Sequence, residues 1–164
     1  MKPIAITPAT QALDAHGIKY SLHKFSSSAS RDFGMEAARN LDVDPTQIFK
    51  TILFRDSHCF YVGVSPVTWE INGKKVANAV GVRHVEPASV QDAQRVTGYV
   101  VGGISPFGQR KKHPTILDDS ASRFPTIFVS GGRRGLEIEI APDDLVSALQ
   151  ATVAQISAQG FARH

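Results

Sequence analysis

The chain of 164 residues holds a single cysteine, Cys59. An internal disulfide is therefore excluded, and a reducing, cytoplasmic setting is expected. Cys59 opens the apolar run Cys59-Phe60-Tyr61-Val62 and reads as a small buried hydrophobe, with no local signature of a nucleophile. No apolar window is long enough to span a bilayer, and residues 1–9 lack the apolar centre of a secretory leader, so no membrane partner is expected. The six histidines, at positions 16, 23, 58, 84, 113 and 164, show no ligand spacing. No metal and no cofactor is expected, because neither a metal-site pattern nor a Walker or dinucleotide fingerprint is present. The chain also lacks a Ser/His/Asp or Cys/His arrangement, which leaves a conventional nucleophilic enzyme unsupported. Excess charge is equally scarce: the net charge is only +3. That balance suits an anionic partner but not a nucleic-acid coat.

What the chain does have is the 42% apolar and 20% charged composition of a globular protein with a real core. Its length suits one domain, taken here as 1–164. Thr7-Pro8 is an N-cap followed by a proline at the first helical position, and Gly17 ends that helix. Ile18, Tyr20 and Leu22 alternate with polar residues as a half-buried strand. Helical spacing follows over 33–41, and Asp44-Pro45-Thr46-Gln47 starts a single turn. The β-rich run 48–54 and the run 59–64 form a hairpin across Asp56-Ser57. Further helices are predicted over 72–81, 87–96 and 142–151, with a helical tail towards 159. Short strands are predicted over 82–85, 99–101, 115–117 and 126–129, and Leu136-Glu137-Ile138-Glu139-Ile140 reads as a strand with one wet face. The fold class is α+β: a mixed, mostly antiparallel sheet or barrel flanked by helices.

Two features stand out for chemistry. In a strand over 48–54, Lys50 shares a face with Ile48, Ile52 and Phe54. A lysine on such a face is either paired or at work, or else it snorkels from the strand end with only its stem buried. The second feature is Thr97-Gly98-Tyr99-Val100-Val101-Gly102-Gly103-Ile104-Ser105-Pro106-Phe107-Gly108-Gln109, running into Arg110-Lys111-Lys112. Its glycines would let a ligand approach bare backbone beside a cluster of cations. Arg133-Arg134 likewise follows a glycine turn. Taken singly, such glycine turns are most often only turns, and charge clusters most often only solvated faces.

Taken together they say more. Phe49-Lys50-Thr51-Ile52-Leu53, Lys74-Lys75-Val76-Ala77, the stretch from Thr97 to Pro106, Gly108-Gln109-Arg110-Lys111-Lys112, and Ile127-Phe128-Val129-Ser130-Gly131-Gly132-Arg133-Arg134-Gly135-Leu136 stand in one order and spacing. In this the chain resembles the bacterial YbaK (EbsC-like) proteins, Cys-tRNA(Pro) deacylases of the prolyl-tRNA synthetase editing-domain superfamily. The resemblance runs from the first helix to about residue 149. It implies a trans-editing enzyme that removes cysteine from mischarged tRNA(Pro), with Cys-tRNA(Cys) as a further substrate. Cysteine and proline are similar in size, and a pocket separates such groups poorly. It also implies a route in which the substrate's own thiol attacks its ester, which would explain the missing nucleophile.

By the same resemblance Lys50, Gly102 and Pro106 are the catalytic residues, the last two framing a G-x-x-x-P loop. Phe25, Thr51, Gly103, Ile104, Ser105, Ser130 and Gly131 would hold the substrate. Phe25 stands where many relatives carry a tyrosine, so one hydroxyl contact to the substrate is lost. Arg110, Lys111, Arg133 and Arg134 are assigned to the tRNA acceptor end on charge and location. Prolyl-tRNA synthetase is the implied protein partner. Two other readings stay open: a deacylase for another small residue such as alanine, and a module that binds tRNA or a nucleotide without turnover.

Overall fold

The computed structural model describes residues 6–28 and 32–158. Helix α1 (Pro8–Ala15) is set by a reciprocal cap: Thr10 N donates to Thr7 Oγ1 and Thr7 N donates to Thr10 Oγ1. Strand β1 (Ser21–Lys24) leads, beyond residues 29–31, to α2 (Phe33–Leu41). Asp44 then caps a 3-10 turn, Pro45–Gln47, and delivers the chain to β2 (Phe49–Arg55). Strand β3 (Phe60–Pro66) returns antiparallel to β2. The turn between them closes on Asp56, whose Oδ1 accepts from His58 N and Cys59 N and whose Oδ2 accepts from Tyr61 OH. These donors hold the Asp56 carboxyl below the usual carboxylate range. Cys59 lies in this turn and is exposed, which corrects the expectation of a buried hydrophobe.

Helix α3 (Gly73–Val80) is capped by the Asn72 side chain and ends on Gly81. The short β4 (Glu86–Pro87) pairs with β2. Residues 82–85 form no strand; the pairing falls one step later, beside Phe54 and Arg55. Helix α4 (Val90–Thr97) ends on Gly98, and strands β5 (Thr115–Asp118), β6 (Ile127–Ser130) and β7 (Leu136–Ile140) follow. Helix α5 (Pro142–Leu149) stops at Gln150, and β8 (Thr152–Ala154) takes the place of the predicted helical tail. The cause is Asp118: its Oδ1 accepts from Ile156 N and Ser157 N, and so holds this segment extended beside β5.

Among the described residues two open sheets result, not one. The smaller, in order β1-β7-β6, is antiparallel throughout. The larger runs β4-β2-β3-β5-β8, with β3–β5 and β5–β8 parallel. They meet where Ile48 bridges to Phe128. Between them lies the main core, which includes Leu13, Phe49, Leu53, Tyr99, Phe107, Ile138 and Leu145. Burying each large apolar side chain stabilises the fold by about 1.5–3 kcal/mol. A second cluster lies under α3, around Phe54, Val76, Ile116 and Ile156. A third lies under α2, around Ala37, Ala38, Ile48 and Phe128. Strand β2 is thus covered on both faces at Leu53 and Phe54, but Lys50, Thr51 and Ile52 near its start are only half covered.

Candidate active site

The half-covered start of β2 opens on a cavity of about 530 Å³. Lys50 and Thr51 line it from the strand, Gly102 and Ile104 from the glycine loop, and Ser130 and Glu137 from the smaller sheet. Phe33 at the start of α2 and Val90 on α4 contribute apolar wall. Lys50 resolves as half-buried, and burial lowers its ammonium below the ordinary lysine value, against an opposing pull from Glu70, which also lines the cavity. It is therefore neither fully sunk nor a simple snorkelling surface lysine.

Two polar groups in this wall have no partner. Thr51 Oγ1 is buried and makes no hydrogen bond among the described residues. Glu137 is only 9% exposed, and its carboxyl has no hydrogen-bond or ion-pair partner among the described residues. Burial alone pushes that carboxyl up to about 8. Burial thus favours the protonated form of this acid, which can donate a hydrogen bond. Buried polar groups are ordinarily satisfied; Thr51 Oγ1 is one of four buried exceptions among the described residues, with Ser65 Oγ, His113 Nε2 and Ser157 Oγ, and the one that belongs to a residue lining this cavity. Ser130 lies directly opposite Glu137 across the β6–β7 ladder, on the same face, and its Oγ accepts from Gly132 N.

The glycine loop differs from its sequence reading. Residues 99–101 form no strand, because their polar groups are satisfied locally. Tyr99 OH donates to Phe107 O, Val101 N donates to Gln94 Oε1, and Gly103 N donates to Val100 O. Val100 is left 62% exposed. What approaches the bare backbone is the protein's own arginine turn: a Cβ on Gly103 would stand 2.6 Å from Arg133 Cα. One on Gly102, at φ +91°, would stand 2.7 Å from Arg134 Nε. The glycines let two turns lock together, and Gly102 keeps the cavity face of that joint.

Arg134 serves the same joint. Its guanidinium lies 4.6 Å over the Phe33 ring and its Nε donates to Val101 O. Arg133 is exposed, and the Arg110 and Lys111 side chains are exposed on the other side of Gly98.

Of the residues assigned by resemblance, the cavity brings together Lys50, Thr51, Gly102, Ile104 and Ser130. It does not include Pro106 or Ser105, because the chain turns into the core after Ile104. Ser105 is fully buried with its Oγ accepting from Phe107 N, and Pro106 lines a separate indentation with Lys111 and Lys112. Gly103 and Gly131 are buried behind the wall, with Gly131 O accepting from Thr7 Oγ1. Phe25 also lies outside the cavity: it packs against the cluster under α2, and its N–H donates to Gly135 O. The sequence reading missed Glu137, Glu70, Phe33 and Val90. Glu137 was legible only by counting register back from the 131–135 turn, which sets it opposite Ser130. Simple alternation places it on a wet face.

This arrangement can hold a small polar group against Lys50, Thr51 and Glu137 while a larger moiety rests on Phe33 and Val90. Comparison with known proteins fits that division. Residues 31–148 match the model of the aminoacyl-tRNA editing domain, and the chain belongs to that family. It is 33% identical, over 92% of its own length and 93% of the relative's, to EbsC of Enterococcus faecalis, which is named as a candidate Cys-tRNA(Pro)/Cys-tRNA(Cys) deacylase. It is also 29% identical, over 53% of the chain but 15% of the relative, to a proline–tRNA ligase of Bacillus cytotoxicus. Among solved structures, hypothetical protein APE2540 superposes with a TM-score of 0.84 at 26% identity, covering 92% of this chain and 99% of that one. A candidate trans-editing enzyme for prolyl tRNA synthetase superposes with a TM-score of 0.82 at 22% identity, covering 93% and 99%, and so shares the fold. Membership in the family makes aminoacyl-tRNA editing the class of activity.

Proposed function

We propose that the cavity at the start of β2 receives the aminoacyl ester of a mischarged tRNA and that the protein removes cysteine from Cys-tRNA(Pro). The observation that carries this reading is one cavity lined by Lys50, Thr51 and Glu137, where the Glu137 carboxyl and Thr51 Oγ1 have no partner among the described residues. The name of the Enterococcus relative supports cysteine as the amino acid.

No cysteine or histidine lines the described cavity, and by the family resemblance the attacking group belongs to the substrate. The thiol of the bound cysteine attacks its own ester carbonyl; a carbon–sulfur bond forms and the bond to the ribose oxygen breaks. A cyclic thiolactone leaves, and the proton lost by the thiol ends on the departing ribose oxygen. Lys50 engages the ester or the terminal phosphate, its charge opposing the negative charge that develops. Glu137, in its protonated form, donates a hydrogen bond to the aminoacyl group, and Thr51 fixes that group's orientation. The match to part of a proline–tRNA ligase supports that synthetase as the partner that supplies the mischarged tRNA.

The test is single-turnover deacylation of Cys-tRNA(Pro) beside Ala-tRNA(Pro), with wild type and Lys50→Ala. Cleavage of the cysteinyl ester alone, lost in Lys50→Ala, is the expected result. Cleavage of both esters would replace the thiol-assisted route by attack of water in a less selective pocket. Cleavage of neither would leave an RNA-binding module without turnover.

A further inference from the structure

A second concavity, of about 460 Å³, lies between the start of α3 and the loop that follows that helix. Its lining includes Lys74, Arg83 and His84 and contains no carboxylate. All three basic residues are exposed, and none makes a hydrogen bond or ion pair with the described residues. Their charge is therefore unspent inside the molecule. The walls are fixed: Asn72 N donates to Ile156 O, and the Asn72 side chain accepts from Lys75 N.

This concavity adjoins the candidate active site along two chain segments. Glu70 lines the first cavity and Asn72 the second, so their α carbons lie within about 7 Å. Val85 lines the second and Ala88 the first. Of the cations that the sequence made prominent, Arg134 is stacked on Phe33 and bonded to Val101, whereas Arg110, Lys111 and Arg133 are exposed like the three of this concavity, so the two groups call for direct comparison.

We propose that Lys74, Arg83 and His84 bind a backbone phosphate of the RNA whose aminoacylated end enters the Lys50 cavity. The inference rests on the aminoacyl-RNA reading given above. An open basic concavity with no buried donors suits a phosphodiester passing along the surface better than a small anion enclosed on all sides. Such contacts add affinity through released counterions and are read as salt dependence.

The experiment measures binding of an uncharged RNA hairpin, carrying the acceptor-end sequence of tRNA(Pro), by fluorescence anisotropy between 50 and 200 mM salt as order-of-magnitude limits. Wild type is compared with Lys74→Glu/Arg83→Glu and with Arg110→Glu/Lys111→Glu. The first double variant is expected to bind at least about tenfold more weakly at low salt. Its slope of log affinity against log salt should be shallower by roughly 0.7, from one lost phosphate contact on a single strand. An acidic residue at position 74 is favourable in the first turn of α3, so the fold is retained. Lys74→Gln/Arg83→Gln, with the same loss of slope, provides the check that keeps the result free of any folding defect. An unchanged slope in both Lys74/Arg83 variants overturns the proposal, as does a loss found only in Arg110→Glu/Lys111→Glu. Because the RNA carries no amino acid, an inactive wild-type protein would strike the deacylase reading alone and leave the groove standing.

Discussion

Asp118 at the end of β5 and Glu137 in β7 are both buried acids, yet the surrounding chain treats them in opposite ways. Asp118 is fully buried and its oxygens accept from Ser120 N, Ser120 Oγ, Ile156 N and Ser157 N. Glu137 is nearly as buried and accepts nothing among the described residues. A satisfied buried carboxylate fastens two segments together. An unsatisfied one costs stability, and it persists where the site needs it. The clasp around Asp118 belongs to folding, and the floor around Glu137 belongs to the cavity.

The largest expected effect is at the clasp. Asp118→Ala leaves four buried donors without an acceptor and should cost about 3 kcal/mol or more of unfolding free energy, seen in urea titration. A cost below about 1 kcal/mol would mean that β8 is held by other contacts, and the contrast with Glu137 would collapse. Next comes Glu137→Gln. The wild-type acid is neutral in both states below its ordinary value near 4.5, so no penalty exists there. Between about 4.5 and 8 the unfolded chain ionises while the folded one keeps its proton, and stability falls as pH rises. Glutamine does not titrate, so the Tm of Glu137→Gln should exceed that of wild type increasingly from about pH 5 to pH 8 and level off above. Equal melting profiles across that range would show that the acid is solvated.

Thr51→Val removes the other orphan while keeping its shape. Stability should stay level or rise by up to about 1 kcal/mol, while the rate of ester cleavage falls about tenfold. A loss of stability instead would reveal a hidden partner for the hydroxyl. The smallest effect is at the roof: Arg134→Lys loses the flat stack on Phe33 and should cost about 0.5–1 kcal/mol. A thermal melt resolves that difference.

Much of the scaffold was legible in the residues. Thr7-Pro8, Asn72 and Gly81 marked helix ends because caps are local chemistry. The β2–β3 hairpin and the strands β6 and β7 followed from alternation and short turns. The parallel pairs β3–β5 and β5–β8 were not legible, since they depend on residues far apart in the chain. The residues 99–101 have strand composition but lie between a helix cap and a tight turn, and local bonds win over propensity. Of the site, Lys50 announced itself as a charge inside an apolar strand. Glu137 did not, because an acid in an alternating strand reads as solvated until the register beside Ser130 is known.

The exposed Cys59 at the tip of the β2–β3 turn has a practical corollary. It is the only thiol in the chain, and β2 runs from it back to Lys50 over roughly 17 Å of strand. A maleimide dye placed there would attach at one known point without touching the Lys50 end, giving a ready reporter for RNA arrival. The same thiol would couple two molecules tip to tip in an aerated preparation, so an apparent dimer that vanishes with reductant is a storage artefact.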